Sequence, residues 1–288
     1  MRKNTESAMR IRKTYYVICL LLCFMSCKRS NTDHTIVNRL YENEAYQEII
    51  AMYDERKAEF NKDPYLLNKL GMSYHELGEY NKAIDTYNQA LDLDNNMSMT
   101  YSNRGLSEVE IGEYIDATNS CNQAIELDHE NFNGYLNRSY ASIKLKKWDW
   151  ALEDLERATA LKGVSRKKMG FAYANLGTVY INTGEDEKAL EYTQKAIRAN
   201  RKIPWAFECS AYLKIKAQKT DEALVDIDEG LRLDSKNKTL LQYKGLLLIK
   251  TGQLNEGCEC LFNAKELMKD FEEERFKLVS ESIKKYCI

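Results

Sequence analysis

A 34-residue period runs through this sequence and constrains its fold more than any other feature, because a chain that repeats at that spacing stacks copies of one small unit. The unit is plainest at residues 64–97, PYLLNKLGMSYHELGEYNKAIDTYNQALDLDNNM. Two apolar patterns of helical period fit inside it, from Pro64 to about Leu77 and from about Tyr80 to Leu93. Gly78 stands at the break, where a helix commonly ends in a left-handed residue. Helix, turn, helix is the expected unit.

The register is fixed by small residues. The eighth position holds Gly71, Gly105, Ser139, Gly177, Ala211 and Gly245, separated by 34, 34, 38, 34 and 34 residues. The twentieth holds Ala83, Ala117, Ala151, Ala189, Ala223 and Gly257, and the twenty-seventh Ala90, Ala124, Ala158, Ala196, Gly230 and Ala264. A small residue lets two helices approach to the short end of the roughly 8–10 Å range, and large neighbours such as Leu70, Tyr74, Tyr80 and Tyr87 fill the adjacent space. The repeats are therefore placed at 64–97, 98–131, 132–165, 170–203, 204–237 and 238–271, after a degenerate first unit at 30–63. In that first unit the second helix is clear in Tyr46, Ile49, Tyr53 and Phe60, while the first has only Ile36, Val37 and Leu40. Residues 272–288 close the array as a capping helix with Phe276, Val279 and Ile283 on one face.

This pattern resembles the tetratricopeptide repeat. The residues that carry the likeness are Leu70-Gly71 and Leu176-Gly177 at positions 7 and 8, Tyr74 and Tyr180 at 11, and Ala at 20 and 27. The resemblance implies an all-α fold, a right-handed superhelical α-solenoid of about seven helix-turn-helix repeats. The family usually has Pro at position 32, where this chain has Asn95, His129, Arg201 and Ser235, so looser inter-repeat turns are expected. Pro64 and Pro204 instead open first helices, where the missing N–H costs nothing. Arg104 and Arg138 replace Leu at position 7 and are expected to lay their stems across the helix interface.

Residues 1–26 place five Lys or Arg before an apolar run, Tyr15 to Met25, too short to cross a bilayer. The ending Phe24-Met25-Ser26-Cys27 resembles a bacterial lipoprotein signal. That resemblance implies removal of 1–26, lipidation of Cys27, a tether at 27–29, and a membrane held by the lipid anchor. With Lys28 in second place, it implies the outer membrane on its periplasmic side. Beyond the signal, Cys121, Cys209, Cys258, Cys260 and Cys287 are odd in number, which suits free buried thiols better than a disulfide framework; a bridge from Cys287 to Cys258 or Cys260 is the alternative.

No catalytic constellation stands out, and no cofactor or metal site is expected. His34, His75 and His129 fall in different repeats without ligand spacing and read as surface histidines, and no glycine-rich phosphate loop is present. Without the first 26 residues the chain holds 37 basic and 43 acidic residues, an acidic body that gives no nucleic-acid footprint and argues against an RNA-binding helical repeat. An accessory lipoprotein of a nutrient-uptake complex is the other alternative, and these 288 residues hold no second large domain of the kind those proteins have. The four-residue insertion near Lys162 to Met169 carries Arg166, Lys167 and Lys168, and reads as an early helix start or a bulged connection.

The resemblance further implies a peptide-binding groove lined by first-helix residues. Carried onto this chain, these are Tyr65, Asn68 and Met72; Ser102, Asn103 and Leu106; Asn137 and Tyr140; Phe171 and Asn175; Trp205 and Tyr212; and Tyr243 and Leu246. Amides of Asn103, Asn137 and Asn175 suit an extended peptide backbone, and the aromatic residues suit apolar side chains. The expected function is a non-catalytic scaffold or assembly factor of the cell envelope. Its partner would be an envelope protein or peptide, with no nucleic acid and no small-molecule substrate.

Overall fold

The computed structural model of the chain describes residues 33–268 and 273–288, which are helices and short connections with no strand among them. The signal stretch 1–26, Cys27, the tether 27–29 and Phe271 lie outside the described residues. Two compact units follow one another, residues through Gly134 and residues from Tyr135 onward.

The first unit begins with α1 (33–42), α2 (Tyr46–Glu55) and the single turn α3 (Lys57–Phe60). Then come α4 (Pro64–Glu76), α5 (Tyr80–Leu93), α6 (Ser98–Glu110) and α7 (Tyr114–Leu127). The boundary falls inside α8 (Phe132–Lys144). The second unit continues with α9 (Trp148–Ala160), α10 (Arg166–Thr183), α11 (Asp186–Ala199), α12 (Pro204–Lys216) and α13 (Thr220–Leu233). It ends with α14 (Lys238–Lys250), α15 (Leu254–Glu266) and α16 (Glu273–Tyr286). Within each unit, helices adjacent in sequence pack on one another, and each also touches the helix two further on at first-helix pairs such as α4 with α6 and α10 with α12.

Each helix end has a cause in the sequence. Some first helices start on a side-chain cap, as where Asp63 accepts the Tyr65 and Leu66 N–H groups ahead of Pro64 and Asn237 accepts the Leu240 N–H, whereas α6 and α12 start without one. They stop at position 15, which has positive φ in all seven repeats: Glu44, Gly78, Gly112, Lys146, Gly184, Gln218 and Gly252. The next residue returns a hydrogen bond to the carbonyl five residues back, as Glu79 N–H does to Tyr74 and Lys219 N–H to Lys214, closing a Schellman turn. The chain then enters the second helix at once.

Small residues set the helix spacing. All five alanines at position 20 and all five at position 27 have zero exposure. A Cβ on Gly71 would lie 2.5 Å from Tyr87 Cε1, so glycine is what admits the tyrosine ring to that contact. Around these contacts Val37, Ile49, Phe60, Leu66, Leu67, Leu70 and Ala90 form one core cluster of the first unit. In the second unit, Ala211, Ala223, Ile227 and Leu240 form one cluster and Leu241, Leu261, Ala264, Met268, Val279 and Ile283 another. Arg104 and Arg138 do cross the interface, but by their charged heads: Arg104 Nε donates to Ser120, and Arg138 grips the buried Asp154 carboxylate at 2.6–3.2 Å.

Two expectations change, and of the two readings of the insertion the early helix start holds. The turns lacking Pro at position 32 are not left loose: the residue before, Asp94, Asp128, Asn200 or Asp234, accepts the N–H two residues on at 2.9–3.1 Å, so an Asx turn replaces the ring constraint. The four-residue insertion resolves as helix: α10 has 18 residues where α4, α6, α8, α12 and α14 have 13, and it starts at Arg166 on a Ser165 cap. Lastly, Cys258 is bonded to Cys287, tying α16 to α15. Cys121 and Cys209 remain buried free thiols, and Cys260, on another face of α15, is half-buried and free.

Candidate groove on the first helices

A first helix buries one side against its second helix and leaves positions 2, 6 and 9, which lie three or four residues apart, on another. In the first unit this face carries Tyr65, Met72, Asn103 and Leu106, all half-buried. Asn68 is only 5% exposed and its carbonyl oxygen accepts from Thr100 Oγ1 at 3.1 Å and Asn103 Nδ2 at 3.2 Å, so this amide is largely spent holding α4 to α6. Ser102 lies inside, with zero exposure and its hydroxyl donated to the Met99 carbonyl; position 5 of α6 points between helices rather than outward.

Sequence reasoning missed two neighbours here. Lys69 is half-buried between the rings of Tyr41 and Tyr65, 4.8 and 5.8 Å away, and makes no ion pair among the described residues. Burial pulls its ammonium below the usual lysine range. The signal was present, since Lys69 occupies position 6 of its repeat, but attention to the asparagines at that position hid it. His34 stacks on Tyr65 with ring centroids 4.3 Å apart and reaches Asp63 at 2.7 Å. His75 bonds Ser107 at 2.9 Å, and burial lowers its pKa. Neither is the solvated surface histidine the sequence led us to expect, whereas His129 is exposed.

In the second unit the same face carries a pair of aromatic rings. Phe171 on α10 and Trp205 on α12 face each other with centroids 5.7 Å apart, and both pack on Ala174, Ala196, Ile203 and Ala206 while staying half-exposed. Tyr212 follows Trp205 two turns along α12, and Tyr243 and Leu246 lie on α14, each half-buried. Tyr140 on α8 is half-buried beneath the Lys144 ammonium, 5.0 Å from its ring. Asn137 is 6% exposed and is already partnered.

Asn175 differs from the others. It is 7% exposed, sits on the same α10 face as Phe171 and Thr178, and makes no hydrogen bond among the described residues. Its amide is not among the polar atoms sealed from solvent without a partner, so it opens onto the surface, where a ligand presenting a backbone N–H and C=O can meet it. Thr178 Oγ1 meets Cys209 Sγ at 3.5 Å across the α10–α12 seam beside it. Burial pushes the Cys209 thiol up to about 12, so it stays protonated and acts as packing.

Among the described residues, no three His, Cys, Asp or Glu are grouped to hold a metal ion, and no helix is long and apolar enough to cross a membrane.

Residues 64–97 and residues 172–203 each match a family model described as tetratricopeptide repeat. A search of curated protein sequences finds none that matches the chain. Among solved structures, the chain is similar to one in the APC/C hetero-tetramer Cut9-Hcn1, with a TM-score of 0.72 at 16% identity over 84% of this chain. That alignment covers 48% of the other chain, so the protein spans about half of its length. It is also similar to a tetratricopeptide repeat protein from Parabacteroides merdae, with a TM-score of 0.62 at 19% identity over 85% of this chain and 97% of that one. For Pseudomonas aeruginosa PilF the TM-score is 0.60 at 19% identity over 75% and 96%. Likeness at such identities speaks for the fold.

Proposed function

Because the chain is a tetratricopeptide repeat protein, a fold that serves as a protein-interaction scaffold, we propose that it is a non-catalytic scaffold or assembly factor of the bacterial cell envelope that holds an extended segment of a protein partner along its first helices. The observation that carries the reading is the Phe171 and Trp205 ring pair, 5.7 Å apart and half-exposed, on a face where the Asn175 amide makes no hydrogen bond among the described residues. An extended peptide offers that amide a backbone N–H and C=O at every residue, and its apolar side chains fit between Phe171, Trp205 and Tyr212. In the first unit, Lys69 would add a preference for a carboxylate on the partner.

The envelope location rests on the lipoprotein-like ending at Cys27 and on an independent feature, the Cys258–Cys287 disulfide. Such bonds persist in oxidising compartments, the bacterial periplasm among them, and are rare in the cytosol. A lipid on Cys27 would hold the repeats at the membrane, on the outer membrane facing the periplasm, without a spanning helix.

The test is capture of the partner by the whole protein carrying Trp205→Ala with Tyr212→Ala, alongside Asn175→Ala. The aromatic pair should abolish capture and Asn175→Ala should weaken it about tenfold, with helicity unchanged in both. Undiminished capture by the aromatic double variant would move the site off this face.

A further inference from the structure

The inserted turn at the start of α10 breaks the 34-residue period, and it also breaks the charge pattern of the chain. Residues 162–170 and 195–202 together hold eight Lys or Arg and no Asp or Glu, while the rest of the chain holds 34 basic against 44 acidic residues. These two segments are neighbours in space. Arg166 Nη2 donates to the Arg198 carbonyl at 2.7 Å, and Asn200 Nδ2 to the Lys167 carbonyl at 3.4 Å. Between them lies an open cavity of about 360 Å³ whose walls include Arg166, Lys195 and Arg198 and whose apolar side is Met169 and Tyr173.

Part of this charge has a local use. Lys195 and Arg198 lie toward the C-terminus of α11, where cations complement the helix dipole, and Arg166 occupies one terminal carbonyl there. The acids that reach the cluster come from outside it: Glu191 pairs with Lys195, and Glu229 with Arg201. Arg166, Lys167, Lys168, Arg198 and Lys202 make no ion pair among the described residues. Helix ends elsewhere in the chain need no such concentration. The extra turn places Arg166, Lys167 and Lys168 on surface that a regular repeat would not possess.

This surface is distinct from the aromatic face. Tyr173 follows Phe171 by two residues, about 200° around the helix, and although both pack on the same small cluster, the Tyr173 ring lies 6.0 Å from that of Tyr192 on α11 while Phe171 meets Trp205 on α12. We infer that the α10–α11 corner is a second docking site, for an acidic segment of a protein partner that sets its carboxylates against Arg166, Lys195 and Arg198 and an adjoining apolar side chain on Met169 and Tyr173. Charge complementarity argues for an anionic partner, and the concave wall of side-chain size, with one guanidinium already fixed by its bond to a carbonyl, argues for a peptide over a flat membrane surface.

The probe is a fluorescein-labelled octapeptide of glutamates with one central phenylalanine, titrated by anisotropy into the whole protein, with the matching glutamine peptide as control. Saturable binding of the glutamate peptide alone, weakened as salt is raised, is expected. Arg166→Gln with Arg198→Gln should weaken it about tenfold or more. Lys167→Gln with Lys168→Gln changes only exposed side chains and so leaves the fold intact; it should weaken binding and flatten the salt dependence. Trp205→Ala with Tyr212→Ala should leave it unchanged. Equal binding of the glutamine peptide, no saturable binding, insensitivity to both basic pairs, or loss through the Trp205 and Tyr212 pair would each overturn the proposal. So would patch-dependent binding to phosphatidylglycerol-containing vesicles without peptide binding.

Discussion

Removing the Cys258–Cys287 bond, as the double substitution Cys258→Ala and Cys287→Ala, should loosen one helix and leave the rest of the array in place. The two residues are 29 apart, and closing a loop of that size in the unfolded chain removes about 12 cal/mol/K of entropy, about 3.6 kcal/mol at 25 °C. The helix it holds has little else to rely on. Among the described side chains of α16, the buried ones are Val279 and Ile283, set on Leu241, Leu261, Ala264 and Met268 at the end of the second unit. Burying two such side chains contributes roughly 3–6 kcal/mol, which is offset by the entropy of ordering the segment, so the covalent tie decides whether the cap stays down. Hydrogen exchange of backbone amides, followed by mass spectrometry, reads this locally. Peptides covering 277–286 should lose about 400-fold of their protection in the double variant, and equally in the wild-type protein under reductant, while peptides from α4 and α5 keep theirs. Unchanged protection of α16 would refute the reasoning, and so would a uniform loss across both units, which would mean that the bond acts on the whole chain.

Position 15 of the repeat offers a stabilising test. Lys146 and Gln218 adopt φ of 57° and 61° where four other repeats use glycine, so Lys146→Gly and Gln218→Gly should each raise stability by about 0.5–1 kcal/mol in urea unfolding; a loss would contradict the strain argument. Burial pushes the Glu108 carboxyl up, against the Ser120 hydrogen bond and Arg104 that pull it down. With the folded pKa above the unfolded one, the folded state binds the proton more tightly. Stability should therefore fall as pH rises from the unfolded carboxylate range through the folded pKa, and Glu108→Gln should remove that slope in urea titrations across pH. Cys27→Ala should abolish labelling of the cellular protein by palmitate, and continued labelling would end the lipid-anchor proposal.

Much of the fold was legible because packing constraints repeat. A glycine at Gly71 and alanines at Ala83 and Ala90 recur where helices touch, and the repetition separates them from chance. What occurs once was harder to read. The disulfide joins Cys258 on α15 to Cys287, one residue past α16, and their approach depends on how α16 docks, which an odd count of cysteines does not reveal. The turns kept their order without Pro at position 32 because an Asx side chain one residue earlier does the same work, a substitution of mechanism that a consensus hides. The groove was legible as a face but not residue by residue. Ser102 turned inward, Asn68 was taken by Thr100 and Asn103, and Lys69 emerged half-buried between two tyrosines, because a few tens of degrees of helix rotation decide which side chain faces out.

The claim at the centre of this account is that the partner lies along the first helices of the second unit. A photo-reactive phenylalanine derivative placed at Tyr212, and separately at Val225, which is 63% exposed on α13, tests it in intact cells. The account predicts a specific adduct from position 212 that weakens when Asn175→Ala is added, and none from position 225. An adduct from Val225 with none from Tyr212 would contradict it.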